Sequence, residues 1–329
     1  MAEITTVIPV YNGEKYILQT LESLAQQTRR PDRIVAVDDC STDATREIVQ
    51  SFLPIHCEWI PNPKNLGLFG NHNSALRFAA ESCYFHILHA NDLIAPSFFE
   101  KLIPLIENAP DYAMAFSGHV FIRENGERTS QEGGVLGRTA QQISLKRFLE
   151  QQTELKAIQL HSAVLKTSYK KSPVEFRLDL PQLGDIVFHS EFAAHCSQIW
   201  AHPEIMSYVR IHTDSATSKN IKNINAWVLD EWKAMQIVFK LMQEHGIASW
   251  TRGEKLRLLY AARCIVKIQT IAHTAPDYAQ NIKTATKPLT GNFSWAIASA
   301  IVKLRDLLQP KQDQTSDRLG TNAKGKYAK

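Results

Sequence analysis

The sequence predicts an α/β protein: a mostly parallel, doubly wound sheet flanked by helices and continued by a helical extension toward the C-terminus. Two observations predict it. Within the first 92 residues, apolar runs end three times in acidic or polar groups, at Val7-Ile8-Pro9-Val10-Tyr11-Asn12, at Val37-Asp38-Asp39-Cys40-Ser41-Thr42-Asp43 and at Leu88-His89-Ala90-Asn91-Asp92. Several parallel strands delivering side chains to one sheet edge give this pattern, and open α/β folds bind ligands, nucleotides among them, at that edge. Between these runs the spacing changes to the helical period, and from about residue 222 it stays helical.

Residues 4–10 form a β-branched run that stops at Tyr11-Asn12-Gly13, and Asn12 is placed to cap a helix whose Ile17, Leu21 and Leu24 share a face. Residues 34–37 read as the next buried strand, with Ser41, Thr42 and Asp43 as cap candidates for a helix carrying Ile48, Val49 and Phe52. A third strand is expected at 58–60, ahead of the Pro61-Asn62-Pro63 breaker, then a helix at 69–81 and a fourth strand at 84–88. Strands at 113–122 and 159–165 and helices at 144–151 and 186–196 follow, with Asp185 at or just before the first turn of the last. Val228, Trp232, Met235, Phe239 and Met242 fall on one face of a helix that Gly246 stops. Thr251-Arg252-Gly253-Glu254 matches a capping box for a helix to about residue 271, and residues 289–308 read as one amphipathic helix. The expected division is an α/β domain over 1–220, a helical extension over 221–309 and a disordered basic tail over 310–329.

At 329 residues the chain is long enough for a large core. No run reaches the ~18 apolar residues of a membrane-spanning helix, and Met1-Ala2-Glu3-Ile4 does not open a signal peptide, so the expected location is cytoplasmic. The five cysteines are widely spaced without a C-x-x-C pair, which excludes a disulfide framework and a zinc ribbon. The net charge of +4 hides an asymmetry: residues 251–329 hold 14 Lys and Arg against 5 Asp and Glu. Such a basic region suits anionic lipid headgroups or a phosphate-bearing acceptor, and equally a solvated helical surface.

Asp38 and Asp39, side by side at a strand end, are costly to hold together without donors or a cation. Neighbours on a strand point to opposite faces, so one of the pair is free for a ligand while the other fixes the loop. Capping of the following helix is the alternative use. Together with Val7-Ile8-Pro9-Val10-Tyr11-Asn12, Asn65-Leu66-Gly67 and Asn73, the segment Val37-Asp38-Asp39-Cys40-Ser41-Thr42-Asp43 resembles family 2 of the glycosyltransferases, of GT-A fold. The likeness is close over residues 3–100. It continues to about residue 219 through Gly184-Asp185-Ile186 and Tyr208-Val209-Arg210-Ile211-His212-Thr213-Asp214-Ser215, and the helical remainder lies outside it.

The resemblance implies an inverting transferase that moves a sugar from a nucleotide-diphosphate sugar to a hydroxyl acceptor, in cell-surface polysaccharide or lipid-linked glycan synthesis. It implies a nucleotide site of Pro9, Tyr11, Asn12, Asp38, Asp39, Asn65, Gly67 and Asn73, with Tyr11 against the base, Asp39 accepting from it, and a UDP-sugar as the favoured donor. Leu88-His89-Ala90-Asn91-Asp92 falls where the family carries its aspartate-rich metal motif, which implies a Mn or Mg ion on Asp92 and Asn91. Asp92 is the one unambiguous carboxylate there, so His89 and the Asn91 amide are weaker partners for a hard cation. Asp185 matches the family's base, with a helix cap as its other reading and Glu191 and Asp179 as rivals. Arg210 and His212, at alternate positions of an extended segment, share a face and are implied to grip the diphosphate.

The implied partners are the donor and a glycan or lipid-linked acceptor, with no nucleic acid, and the basic C-terminal region admits peripheral contact with anionic membrane at its inner face. No G-x-G-x-x-G follows the first strand, and G-x-x-x-x-G-K-[ST], H-E-x-x-H and G-x-S-x-G are absent. His86 and His89, three apart on an expected strand, point to opposite faces. The alternatives are a non-catalytic nucleotide-sugar-binding protein with a degenerate metal motif and a two-metal nucleotidyltransferase, for which no glycine-rich basic loop is present near the first strand.

Overall fold

The computed structural model describes residues 2–134, 136–154, 158–213, 220, 222–248 and 250–308. They form two units, Met1–Ile211 and His212–Lys329. The expected tail over 310–329, together with Asp214 and Ser215, lies outside the described residues.

In the first unit, the apolar runs become strands β1 (Ala2–Val10), β2 (Arg33–Asp38), β3 (Glu58–Pro61) and β4 (Ser82–Ile87), all mutually parallel. Helices α1 (Ile17–Ala25), α2 (Thr45–Ser51) and α3 (Leu68–Leu76) connect them, a 3-10 turn at Arg77–Glu81 finishing the last. The α1 residues Ile17, Leu21 and Leu24 are fully buried, as their spacing requires. Then come β5 (Leu93–Ile94), α4 (Phe98–Ile106), β6 (Ala113–Ile122), β7 (Arg128–Gly133), β8 (Gln141–Gln142), α5 (Leu145–Thr153), β9 (Ala163–Lys166), α6 (Gly184–His195) and β10 (Gln198–Arg210).

Eight strands of the ten-stranded sheet run β3-β2-β1-β4-β9-β6-β10-β5, with β7 beside β6 and β8 beside β10. The β9 strand is antiparallel to both β4 and β6, while β10 runs parallel to β6. Two reversals in a row restore direction, so β1, β2, β3, β4, β6 and β10 all end at one edge. β6 changes partner along its length, pairing with β9 over Ala113–Phe116 and with β7 from His119. The core beneath is a cluster of buried side chains from the strands and from α1 and α4, including Ile8, Leu21, Leu88, Phe98, Phe99 and Val164.

Several local expectations change. Asn12 does not cap α1: it sits at φ 50° and its Oδ1 accepts from the Thr42 amide at 2.8 Å, locking one loop to the next. Of the three cap candidates at 41–43, Asp43 is the one that accepts from the Thr45 amide at the start of α2, as the sequence allowed. α4 and most of β10 have no counterpart in the sequence reading, since Pro96 precedes the one with Pro104 inside it, and Pro203 interrupts the other.

The second unit is helical: a π turn at Asn225–Leu229, then α7 (Asp230–Glu244), α8 (Trp250–Ile271), α9 (Pro276–Thr290) and α10 (Asn292–Leu308). Val228, Met235 and Met242 are buried along the expected stripe, and Gly246 stops the helix at φ 66°. Glu231, buried in α7, is bridged by Arg263 and by Lys267 Nζ at 2.7 Å, which compensates its desolvation. Thr251 lies inside α8, whose described residues begin at Trp250. The single helix expected at 289–308 is broken by Gly291 at φ 81°, so residues 276–290 form a helix of their own. No described helix is long and apolar enough to cross a membrane.

Candidate functional site

The common strand edge of the first unit gathers the residues that follow β1, β2, β3, β4 and β10. Its first half is a lattice of amides. The Asp39 carboxylate, 2% exposed, accepts from Leu66 N (2.8 Å), Gly67 N (2.9 Å) and Asn62 Nδ2 (3.0 Å). Asp38 accepts from Ser41 N at 3.0 Å and so fixes the turn after β2. Asn65 donates to the Asp39 carbonyl and accepts from Gly67 N, both at 3.0 Å. Gly67 sits at φ 74°, where a side chain is strained, and opens α3. Below them Asn62 and Asn71, both buried, bond each other at 2.9 Å, and Asn71 Nδ2 reaches the Val37 carbonyl at 3.0 Å.

The loop after β1 is pinned by Asn12 N to Ser41 Oγ (2.9 Å) and Gly13 N to Thr45 Oγ1 (2.8 Å). Pro9 is buried in β1 opposite Val37, beyond Val7 where the β1–β4 pairing ends, so no ladder bond is lost. Tyr11 stands 55% exposed at the strand end. A flat, accessible ring is suited to stacking on a heterocycle. Asn73 is directed elsewhere: its carboxamide pairs with the Phe176 backbone through two bonds, of 2.9 and 2.7 Å.

The second half is built from histidines. Asp92, 2% exposed, accepts from the Arg210 amide at 2.7 Å through Oδ1. Its Oδ2 lies 3.1 Å from His89 Nδ1 and 3.2 Å from His161 Nδ1. Burial alone would raise the Asp92 carboxyl, but His161, His89 and the Arg210 amide reverse the balance and hold it below its ordinary value. His161 is carried on a 3-10 turn, Leu160–Ser162, whose His161 carbonyl is bonded by His86 Nε2 at 3.0 Å. Burial pushes the rings of His72, His161 and His189 down to about 3 and those of His86 and His119 to about 4. They are neutral at ordinary pH, and neither ring nitrogen of His161 makes a hydrogen bond.

These atoms fit a divalent ion. His89, Asp92 and His161 present three ligand atoms within 4.8 Å of one another. Two ligands at about 2.0–2.1 Å from a tetrahedral ion are roughly 3.3 Å apart, close to the spacings seen here. Two imidazoles and one carboxylate suit a borderline first-row ion such as Mn or Zn better than Mg, which demands oxygens. The Asn91 backbone carbonyl accepts from Arg210 Nε at 3.0 Å. The Arg210 guanidinium, buried over the Tyr16 ring, also bonds the Arg123 and Glu124 carbonyls and Gln19 Oε1. It therefore ties the loops at Asn91 and at Arg123-Glu124 to Gln19 of α1. His212 opens the second unit, and the site described here is made from the first alone.

Asp185 is the second residue of α6 and is partly exposed. Burial raises its carboxyl, while the Ile186 amide (2.8 Å) and the nearby His89 act the other way. Gly184 lets α6 approach α3: a Cβ there would come 2.5 Å from the Phe69 ring. Phe69, Phe176 and Phe188 stack beside it at 5.4 and 4.0 Å. Of the rival carboxylates, Glu191 is engaged by Arg177 at 2.8 Å. His161, Asn62, Asn71 and His72 were not singled out by the sequence reading, because no short motif contains them.

The family model Glycosyl transferase family 2 matches residues 5–170, half of the chain. An uncharacterized glycosyltransferase of Haemophilus influenzae is 24% identical over 225 residues, 65% of this chain and 67% of that protein. One of Methanocaldococcus jannaschii is 32% identical over 127 residues, 37% of this chain. The chain thus spans 43% of the length of the latter relative. The crystal structure of Staphylococcus aureus TarS 1-349 in complex with UDP-GlcNAc superposes with a TM-score of 0.57 at 17% identity, over 94% of this chain and 93% of that one.

Proposed function

Because the chain belongs to glycosyl transferase family 2, whose model covers half of it, we propose that it is an inverting glycosyltransferase of polysaccharide or lipid-linked glycan synthesis. Its donor is a nucleotide-diphosphate sugar and its acceptor a hydroxyl. The observation that carries this reading is the meeting, at one sheet edge, of the amide lattice around Asp39 and the His89–Asp92–His161 cluster, with the raised carboxyl of Asp185 near His89. TarS has been crystallised with UDP-GlcNAc, and curated relatives include a putative teichuronic acid and an amylovoran biosynthesis glycosyltransferase, so UDP-sugars are the first donors to test.

In this mechanism Tyr11 stacks on the base, while Asp39, Asn65 and Gly67 keep the amide lattice in shape. Asp185 takes the proton of the acceptor hydroxyl as its oxygen bonds the anomeric carbon, and the bond from that carbon to the diphosphate breaks with inversion. A carboxyl raised by burial is a stronger base than an ordinary aspartate, which suits that task. A divalent ion held by His89, Asp92 and His161 would offset charge on the departing diphosphate. Arg210 and Asn73 are positioning residues: the first holds the Asp92 loop, the second fixes α3 to the strand of chain leading into α6.

The test is nucleoside diphosphate release from UDP-, GDP- and dTDP-sugars with Mn, Mg, Zn or EDTA. Release from one donor, abolished by EDTA, is expected. Binding of a nucleotide sugar with no release under any acceptor or ion would favour a binding protein instead.

A further inference from the structure

Helix α10 is apolar on two opposite faces. Trp295, Ala298 and Val302 are buried, and α10 packs on α8 and α9. About half a turn away, Phe293, Ala296, Ala300, Ile301 and Leu304 recur at helical spacing and stand exposed, Phe293 at 77%, Ile301 at 50% and Leu304 at 57%. A surface helix ordinarily turns a polar face outward. At 100° per residue, Lys303 and Arg305 fall on the two flanks of the exposed stripe. The charge asymmetry follows the same division: residues 251–329 carry 14 basic against 5 acidic side chains, while the rest of the chain is net acidic.

We propose that α10 docks in the plane of an anionic lipid surface, with Phe293, Ile301 and Leu304 entering the boundary between headgroups and acyl chains and Lys303 and Arg305 meeting lipid phosphates. Charge selects this occupant over a second copy of the chain, because a two-fold contact through the stripe would bring like-charged flanks together. Area agrees: one stripe of three large side chains is far below the roughly 800 Å² per partner of a stable interface. The membrane is met from one side only, since no described helix is fit to span it. The inference is independent of the transferase reading and stands or falls without it.

The experiment is flotation of the full chain with phosphatidylcholine vesicles, with and without phosphatidylglycerol, at low and high salt. The wild type is expected to partition about tenfold better onto the anionic vesicles, and less so at high salt. The variant Phe293→Ser/Ile301→Ser/Leu304→Ser is expected to fall to the level of neutral vesicles with an unchanged circular dichroism spectrum, since all three side chains are exposed. Lys303→Gln is expected to weaken binding by a smaller factor. Failure of the wild type to float, or equal flotation of the triple variant, would overturn the proposal. So would a wild-type dimer in sedimentation velocity that the triple variant loses while neither binds vesicles.

Discussion

The two halves of the strand edge are made of different chemistry. Around Asp39 the chain uses Asn62, Asn65, Asn71 and backbone amides, groups whose charge does not change across the ordinary pH range. Around Asp92 it uses His72, His86, His119, His161 and His189, all buried and all held neutral. An amide lattice fixes a shape. A set of neutral imidazoles beside one ionised carboxylate offers lone pairs to a cation and makes that half sensitive to acid. The two halves thus sit on one edge but answer to different variables.

The largest expected effect exposes that difference through pH. An unfolded histidine titrates near 6.5, so below that value the unfolded chain takes up protons that the buried rings refuse. Stability is therefore full above about pH 6.5 and is lost as pH falls toward the depressed values of about 3 to 4. Each ring contributes up to about 1.4 kcal/mol per pH unit in that window. Thermal melts from pH 7.5 to 5 should show a steep decline beginning near 6.5, and a flat profile would mean that the rings are charged in the folded protein.

Next in size, Asp185→Asn should lower turnover at least ~100-fold and leave the donor Kd unchanged, because it removes a base and no part of the amide lattice. Wild-type kcat should also fall on its acid side at a pH above the ordinary aspartate range, given the raised carboxyl. A smaller loss, or an acid limb at the ordinary position, would move the base elsewhere. Asp39→Ala attacks the other half. It strands the Leu66 and Gly67 amides, so about 2 kcal/mol of stability and most donor affinity should be lost in calorimetry and melts, without change in the pH slope. The smallest effect is Tyr11→Ala, about 1 kcal/mol in donor Kd with no shift in melting, as befits an exposed ring.

The amide half was legible in the sequence because its residues lie in short segments that end strands: Asp39 and Asn12 announce themselves beside apolar runs, and Gly67 beside Asn65. Even there, the partners differ from expectation. Asn73 pairs with the Phe176 backbone and Asn12 Oδ1 accepts from the Thr42 amide, since carboxamides close to main chain satisfy its polar groups. The histidine half was not legible beyond Asp92 and His89. His161 comes from a turn ahead of β9, a strand inserted antiparallel between β4 and β6, and only that topology brings it to Asp92. No local pattern encodes a contact of that range. Arg210 was read from the sequence as a grip on the diphosphate, whereas its burial over the Tyr16 ring follows from the long β10 strand, whose proline and alternating polar residues conceal it.

The most direct test of the division is a Co(II) titration of the apo chain followed by its visible spectrum, without donor or acceptor. The account predicts saturable binding of one equivalent with an intense nitrogen-ligated band. That binding should weaken at least about tenfold in His161→Ala and in Asp92→Asn and stay unchanged in Asp39→Ala. Absence of saturable binding, or equal affinity in wild type and both histidine-half variants, would contradict it and leave the buried rings as packing alone.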